Sequence, residues 1–339
     1  MDRGFIFGKF LPFHKGHEAM IRFALTQVDF LSVLVCASDK ENIPADIRKS
    51  WIEKTFADTS TLDVIAFDYK ESDLPNSSES SRNVSKIWAE IFKIYFPDYG
   101  TVITSEPYGE YVAEYMGINH ILFDMERNTV PVTASKIRSD LFSYWEYLPD
   151  AVKPDMVIKV VILGTESTGK TVLTGKLARH YNATAVFEAG RDIIPDSNDF
   201  SINDLYLVAD EHARRIKQSE TKESPLIIID TDIHITKSYG RFSFDEELVI
   251  DQHIYEANKA DLYLYLDNDI EFVQDGTRMD EESRNRLDAS HREILREHAI
   301  PYIEIAGDWD ERFGKAVEEI DRLIENRKTD IGNWFTKEE

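Results

Sequence analysis

Cysteine is almost missing from this chain. Cys36 is the only one in 339 residues, so no internal disulfide can form. Its place inside the apolar run LSVLVCA predicts a buried, inert thiol. No apolar run approaches the ~20 residues that a membrane span requires, so membrane insertion is not expected. The opening MDRGFIFGKF has an acid in second position and a short apolar stretch broken at Gly8, which is not the pattern of a secretory signal. These absences point to the cytoplasm. Positive charge is also scarce: 39 Lys and Arg stand against 63 Asp and Glu, a formal net charge of −24. Such a field repels nucleic acid and disfavours it as a partner. It repels phosphates too. Any nucleotide site here must build its own local positive potential from Lys, Arg, His, Mg²⁺ or helix N-termini.

What is present reads as globular, with 42% apolar and 30% charged residues. The length suggests two domains. Short apolar runs recur: FIFG (5–8), LSVLVCA (31–37), TLDVIAF (61–67), GTVITS (100–105) and HILF (120–123). Amphipathic stretches separate them. Met20, Phe23, Ala24 and Val28 share one face of a helix expected to start near residue 16. LPDAVKPD (148–155) has two prolines and no periodicity, so it reads as a linker. The alternation then restarts with MVIKVVIL (156–163), TAVFE (184–188), PLIIID (225–230), DLYLYL (261–266) and PYIEI (301–305). Phe313, Ala316, Val317, Ile320, Leu323 and Ile324 form the stripe of a last helix. Strand, helix, strand at this spacing means parallel sheets flanked by helices, an α/β class. The domains are expected at 1–152 and 153–339. NSSESSRN (76–83) reads as a polar loop.

GKFLPFHKGH (8–17) joins the first strand to the first helix. In a parallel sheet that junction lies at the carboxyl edge, where ligands bind. His14 and His17 are three apart and can point into one space above a helix N-terminus, a setting suited to triphosphate. An isolated H-x-x-H means little more than two histidines on a helix cap. The whole pattern G-x-F-x-P-x-H-x-G-H is far more specific and resembles the signature of the nucleotidylyltransferase superfamily, whose histidines contact ATP phosphates. On that resemblance Gly8, Lys9, Phe10, His14 and His17 are ATP-binding residues. VTASKIRSD (132–140) resembles the second signature of that superfamily, I-S-x-T-x-I-R, with Thr133 and Ser135 exchanging their hydroxyl types. Arg138 matches its phosphate-holding arginine, and a guanidinium fork suits that task.

The second constellation is Gly164-Thr165-Glu166-Ser167-Thr168-Gly169-Lys170-Thr171, after an apolar strand and before a helix. This is the context a P-loop requires. The backbone would wrap the β-phosphate, Lys170 would reach the β- and γ-phosphates, and Thr171 would offer its hydroxyl to Mg²⁺. PLIIIDTD (225–232) resembles a Walker B strand, with Asp230 the second candidate for Mg²⁺. FEAGRD (187–192) offers Glu188 and Asp192, either of which could orient an alcohol and accept its proton. DGTR (275–278) offers Arg278 as a lid arginine over the transferring phosphate.

The two signatures in this order resemble the NadR-type bifunctional enzymes, which join nicotinamide-mononucleotide adenylyltransferase to ribosylnicotinamide kinase. TSEPYGEY (104–111), SYWEYLPDAVKP (143–154), the P-loop, FEAGRD, IDTD and DGTR carry the resemblance over nearly the whole chain. It implies a Rossmann-like nucleotidyltransferase fold followed by a P-loop kinase fold. It also implies phosphorylation of nicotinamide riboside to the mononucleotide (NMN), then joining of NMN to AMP from ATP, giving NAD and pyrophosphate with Mg²⁺ as cofactor. Some members begin with a DNA-binding helix-turn-helix domain. This sequence opens on its first strand, so a repressor role is not implied. Members often carry tryptophans where NSSESSRN stands; the nearest here is Trp88. Two rivals share these motifs. One is a phosphopantetheine adenylyltransferase fused to a dephospho-coenzyme A kinase. The other is a nucleotide sensor with a dead site. TSEPYGEY, SYWEYLP and FEAGRD speak against the first, and the intact His14, His17, Arg138, Lys170 and Thr171 against the second. A homo-oligomer is left open.

Overall fold

A computed structural model describes residues 1–76, 81–194, 199–269 and 280–335. All of DGTR (275–278), with Arg278, and the middle of the 76–83 loop lie outside the described residues. Two compact units meet in sequence between Lys153 and Pro154, and the second runs to Asn326. No described helix is long and apolar enough to cross a membrane.

The first unit contains β1 (Arg3–Gly8), α1 (Lys15–Ala24), β2 (Phe30–Ser38), α2 (Ala45–Thr55), β3 (Leu62–Tyr69), α3 (Arg82–Tyr95), β4 (Thr101–Thr104), α4 (Tyr108–Met116), β5 (Asn119–Leu122) and α5 (Ala134–Ser139). All strand pairs are parallel, in the order β3-β2-β1-β4-β5. The chain moves outward from β1 through β2 to β3, then crosses back to β4 on the other side. That reversal opens a crevice at the carboxyl ends of β1 and β4. The residues after Gly8 begin there. Phe5 and Phe7 project from β1 onto α3, where Phe5 stacks on Phe96 at 4.5 Å and Phe7 meets Phe92 at 4.4 Å. Trp88 belongs to this core, 1% exposed, with Nε1 donating to the Pro75 carbonyl. Cys36 is fully buried in β2. Helix α1 stops at Ala24, so Val28 is not on it as the periodicity suggests. It lies in the turn before β2, and a Cβ on Gly4 would meet its side chain.

The second unit contains β6 (Ile158–Leu163), α6 (Lys170–Tyr181), β7 (Thr184–Val186), α7 (Gly190–Ile193), α8 (Ile202–Ser219), β8 (Leu226–Asp230), α9 (Ile233–Phe244), α10 (Gln252–Asn258), β9 (Leu262–Leu266), α11 (Glu281–Glu297), β10 (Ile303–Ile305) and, as far as Asn326, α12 (Trp309–Phe335). Its sheet is also parallel, in the order β10-β9-β6-β8-β7. Every residue of β6 and β8 is buried, which is why these strands read as unbroken apolar runs in place of an alternation. Lys159 is the exception in β6. Its ammonium meets Glu220 at 2.5 Å and the Ala257 carbonyl at 3.2 Å. On α12, Ala316 and Ile320 are fully buried, the centre of the expected stripe.

The 148–155 segment differs from the open linker suggested by its prolines. Leu148 and Val152 are fully buried, and short 3-10 turns at Trp145–Tyr147 and Lys153–Asp155 flank them. Two apolar side chains in a polar frame were enough to pack the segment down.

Candidate active sites

At the first site the backbone leaves β1 through Gly8, Lys9 and Phe10 and enters α1 after His14. His14 is the N-cap: its Nδ1 accepts from Gly16 N at 3.1 Å and His17 N at 3.4 Å. The neutral ring therefore carries its proton on Nε2. A Cβ on Gly16 would strike the His14 imidazole, so glycine makes room for the cap. The imidazoles of His14 and His17 stack at 3.7 Å, and Phe10 and Phe13 pack on His17. Burial, with the charges of Arg127 and Arg138, pushes His14 down to about 3. Burial and His14 push His17 well below its usual range. Without a ligand both rings are neutral donors, and the positive charge comes from the arginines and the helix end.

Arg138 reaches back from α5. Nη1 donates to the Leu11 carbonyl at 2.7 Å and Nη2 to Ser135 Oγ at 3.1 Å. Thr133 caps α5 by accepting from Lys136 N at 3.1 Å. A cavity of about 530 Å³ is lined by Gly8, Lys9, Phe10, His14, His17, Thr133, Ser135 and Arg138 together. All the residues expected at this site thus face one space. Three neighbours escaped the motif reading. Arg127 lines the cavity and pairs with Glu106 at 2.8 Å. Glu41 holds Lys9 at 2.7 Å and the fully buried Arg48 at 2.6 Å. Lys9 is therefore neutralised by a carboxylate in the resting site. Asp124, which also lines the cavity, accepts from Asn128 N and Thr129 N at 2.8 and 2.9 Å.

At the second site the loop Gly164–Gly169 lies between β6 and α6. Its φ angles are +138° at Gly164, +63° at Ser167 and +90° at Gly169. The left-handed turns aim successive N–H groups inward, as an anion nest requires. Gly169 has no room for a side chain because the Trp309 ring lies against it. Lys170 Nζ donates to the Thr165 carbonyl at 2.9 Å, within its own loop. Thr171 Oγ1 donates to Asp230 Oδ2 at 2.5 Å, while Asp230 Oδ1 is buried without a hydrogen-bond partner. An orphaned buried carboxylate oxygen beside a hydroxyl is a hard-oxygen donor set and fits Mg²⁺.

Glu188 and Asp192 part company. Burial raises the Glu188 carboxyl while Lys170 pulls it down and Asp230 and Glu166 push it up. Glu188 also lies 3.8 Å from Arg191. Asp192 pairs with Arg215 at 2.7 Å and its side chain is 66% exposed. Glu166, read above as part of the ATP loop, accepts from Tyr239 Oη at 3.0 Å. The loop is anchored by Arg312, 1% exposed. Its Nη1 donates to the Thr168 carbonyl at 3.1 Å, Nε to Gly307 O at 2.7 Å and Nη2 to Asp267 O at 3.0 Å. Nη2 also pairs with Asp269. No motif marks Arg312, since its partner carbonyls are up to 144 residues away.

Residues 159–312 match the family described as "AAA domain". The trifunctional NAD biosynthesis/regulator protein NadR of Escherichia coli (strain K12) is 30% identical over 95% of this chain and 83% of its own length. The chain belongs to the NadR family. Two crystal structures of NadR protein share the fold at 20% identity, each covering 95% of this chain and 96% of theirs. The one in complex with NR has a TM-score of 0.68, and the one in complex with NAD and AMP-PNP has 0.65. NadR-family membership therefore spans both units, from the His14 cap to the Arg312 anchor.

Proposed function

We propose that this chain makes NAD in two ATP-dependent steps, in the cytoplasm. Residues 153–339 would phosphorylate nicotinamide riboside, and residues 1–152 would adenylylate the resulting NMN. In the first step the riboside 5′-oxygen attacks the γ-phosphorus, the bond to the β,γ-bridging oxygen breaks and ADP leaves. The hydroxyl proton passes to Glu188, whose raised affinity for a proton suits a general base. Lys170 leaves the Thr165 carbonyl to neutralise the β- and γ-phosphates. Thr171 and Asp230 would hold Mg²⁺, which supplies charge neutralisation on the triphosphate.

In the second step an NMN phosphate oxygen attacks the α-phosphorus and pyrophosphate leaves. That nucleophile is already an anion, so no base is required, and catalysis reduces to positioning and charge. His14 and His17 donate through neutral imidazoles, and Arg127 and Arg138 supply the cations. One observation carries the reading. The carboxylates around the histidine pair are bound to cations or backbone N–H groups, whereas at the phosphate loop Asp230 Oδ1 has no hydrogen-bond partner and Glu188 stands 3.8 Å from Arg191. The test is direct: incubate protein and Mg-ATP with nicotinamide riboside or with NMN and resolve the products. NMN and NAD are expected from the first, and NAD alone from the second. Absence of NAD from either substrate sinks the proposal.

A further inference from the structure

Glu166 stands in a loop that must hold phosphates, yet its side chain is an anion. A carboxylate cannot bind a triphosphate in a loop built to attract one. Its carboxylate instead accepts from Tyr239 Oη at 3.0 Å, an anchor on α9. Tyr239 in turn packs on His291 of α11 at 5.4 Å. His291 is fully buried with Nδ1 2.8 Å from Ser238 Oγ, and its Nε2 has no hydrogen-bond partner. Electrostatically, Glu166 and Glu188 both act on the Tyr239 phenol, and Glu166 acts on Glu188. Glu166, Tyr239 and Glu188 are therefore neighbours beside the phosphate loop.

We propose that Glu166, held by Tyr239, binds the sugar hydroxyls of the acceptor and selects for a ribosyl alcohol; this rests on the kinase reading above. The 5′-oxygen would meet Glu188, and the hydroxyls on the same ring would donate to Glu166. A fixed acceptor oxygen rejects an analogue that lacks its donor, since the carboxylate is then left unpaired.

The experiment measures phosphate transfer from Mg-ATP to nicotinamide riboside and to its 2′,3′-dideoxy analogue. The wild-type chain is expected to prefer the riboside by about 10- to 100-fold in kcat/KM, chiefly through KM. Glu166→Ala should lose about that factor on the riboside and nothing on the analogue, with the KM for ATP unmoved. Tyr239→Phe should give a smaller loss of the same pattern. If Glu166→Ala does not fold, the isosteric Glu166→Gln replaces it, with a smaller loss confined to the riboside. Equal losses on both acceptors, or a raised KM for ATP, overturn the inference. A wild-type chain that uses NMN but neither riboside removes the kinase reading, and this inference with it.

Discussion

The two ATP sites occupy the same place in two parallel sheets and differ in their acids. At the first, Glu41 is bound to Lys9 and Arg48, Glu106 to Arg127, and Asp124 to backbone N–H groups. At the second, Asp230 Oδ1 is bare and burial raises Glu188. Under the proposed function both settings would hold a triphosphate. The difference follows the nucleophile: an anionic phosphate needs no base, and a neutral alcohol does. Acidity is thus suppressed where the attacking group brings its own charge and retained where a proton must be taken.

The contrast breaks most visibly at Lys170. Lys170→Ala should cut riboside phosphorylation by on the order of 10³-fold and leave NAD formation from NMN unchanged. Separate assays of the two substrates check this, and equal damage to both would merge the sites. Glu188→Gln should lower kcat with riboside by about 10²-fold while Asp192→Asn changes it less than about threefold; steady-state kinetics at saturating ATP decide between them. His17→Ala should slow adenylylation by about 10²-fold without touching phosphorylation, read from NAD release. Arg138→Lys keeps the charge but loses the fork, and should cost about tenfold in the same assay.

The smallest effect is on stability. Folded His14 titrates at about 3 against the usual 6.5, so below 6.5 the unfolded chain binds more protons than the folded one. Its contribution is full above 6.5 and declines as pH falls towards 3, with His17 and His291 adding the same sign. Urea midpoints at pH 7.5 and 5 should show the decline, and His14→Asn should flatten it.

Much of the fold was legible because strands buried on both faces are written as continuous apolar runs. All ten expected strands appear, with ends moved by a few residues. The motif residues were legible too, since turn chemistry and phosphate chemistry constrain local sequence. What stayed hidden depends on distant partners. FEAGRD offers two carboxylates, and only Arg215 on α8 shows that Asp192 is taken. Arg48 and Arg312 look like surface cations until their buried carbonyl partners are known. Trp88, the tryptophan nearest to NSSESSRN, is carried by α3 into the core.

Cys36 gives the first unit a built-in clock. Burial pushes its thiol up to about 12, and no other cysteine competes for a reagent. Alkylation at neutral pH then waits for β2 to be uncovered, so the labelling rate measures how often that sheet opens. Saturating NMN or ATP should slow the labelling in proportion to the stabilisation each ligand confers on that half of the chain.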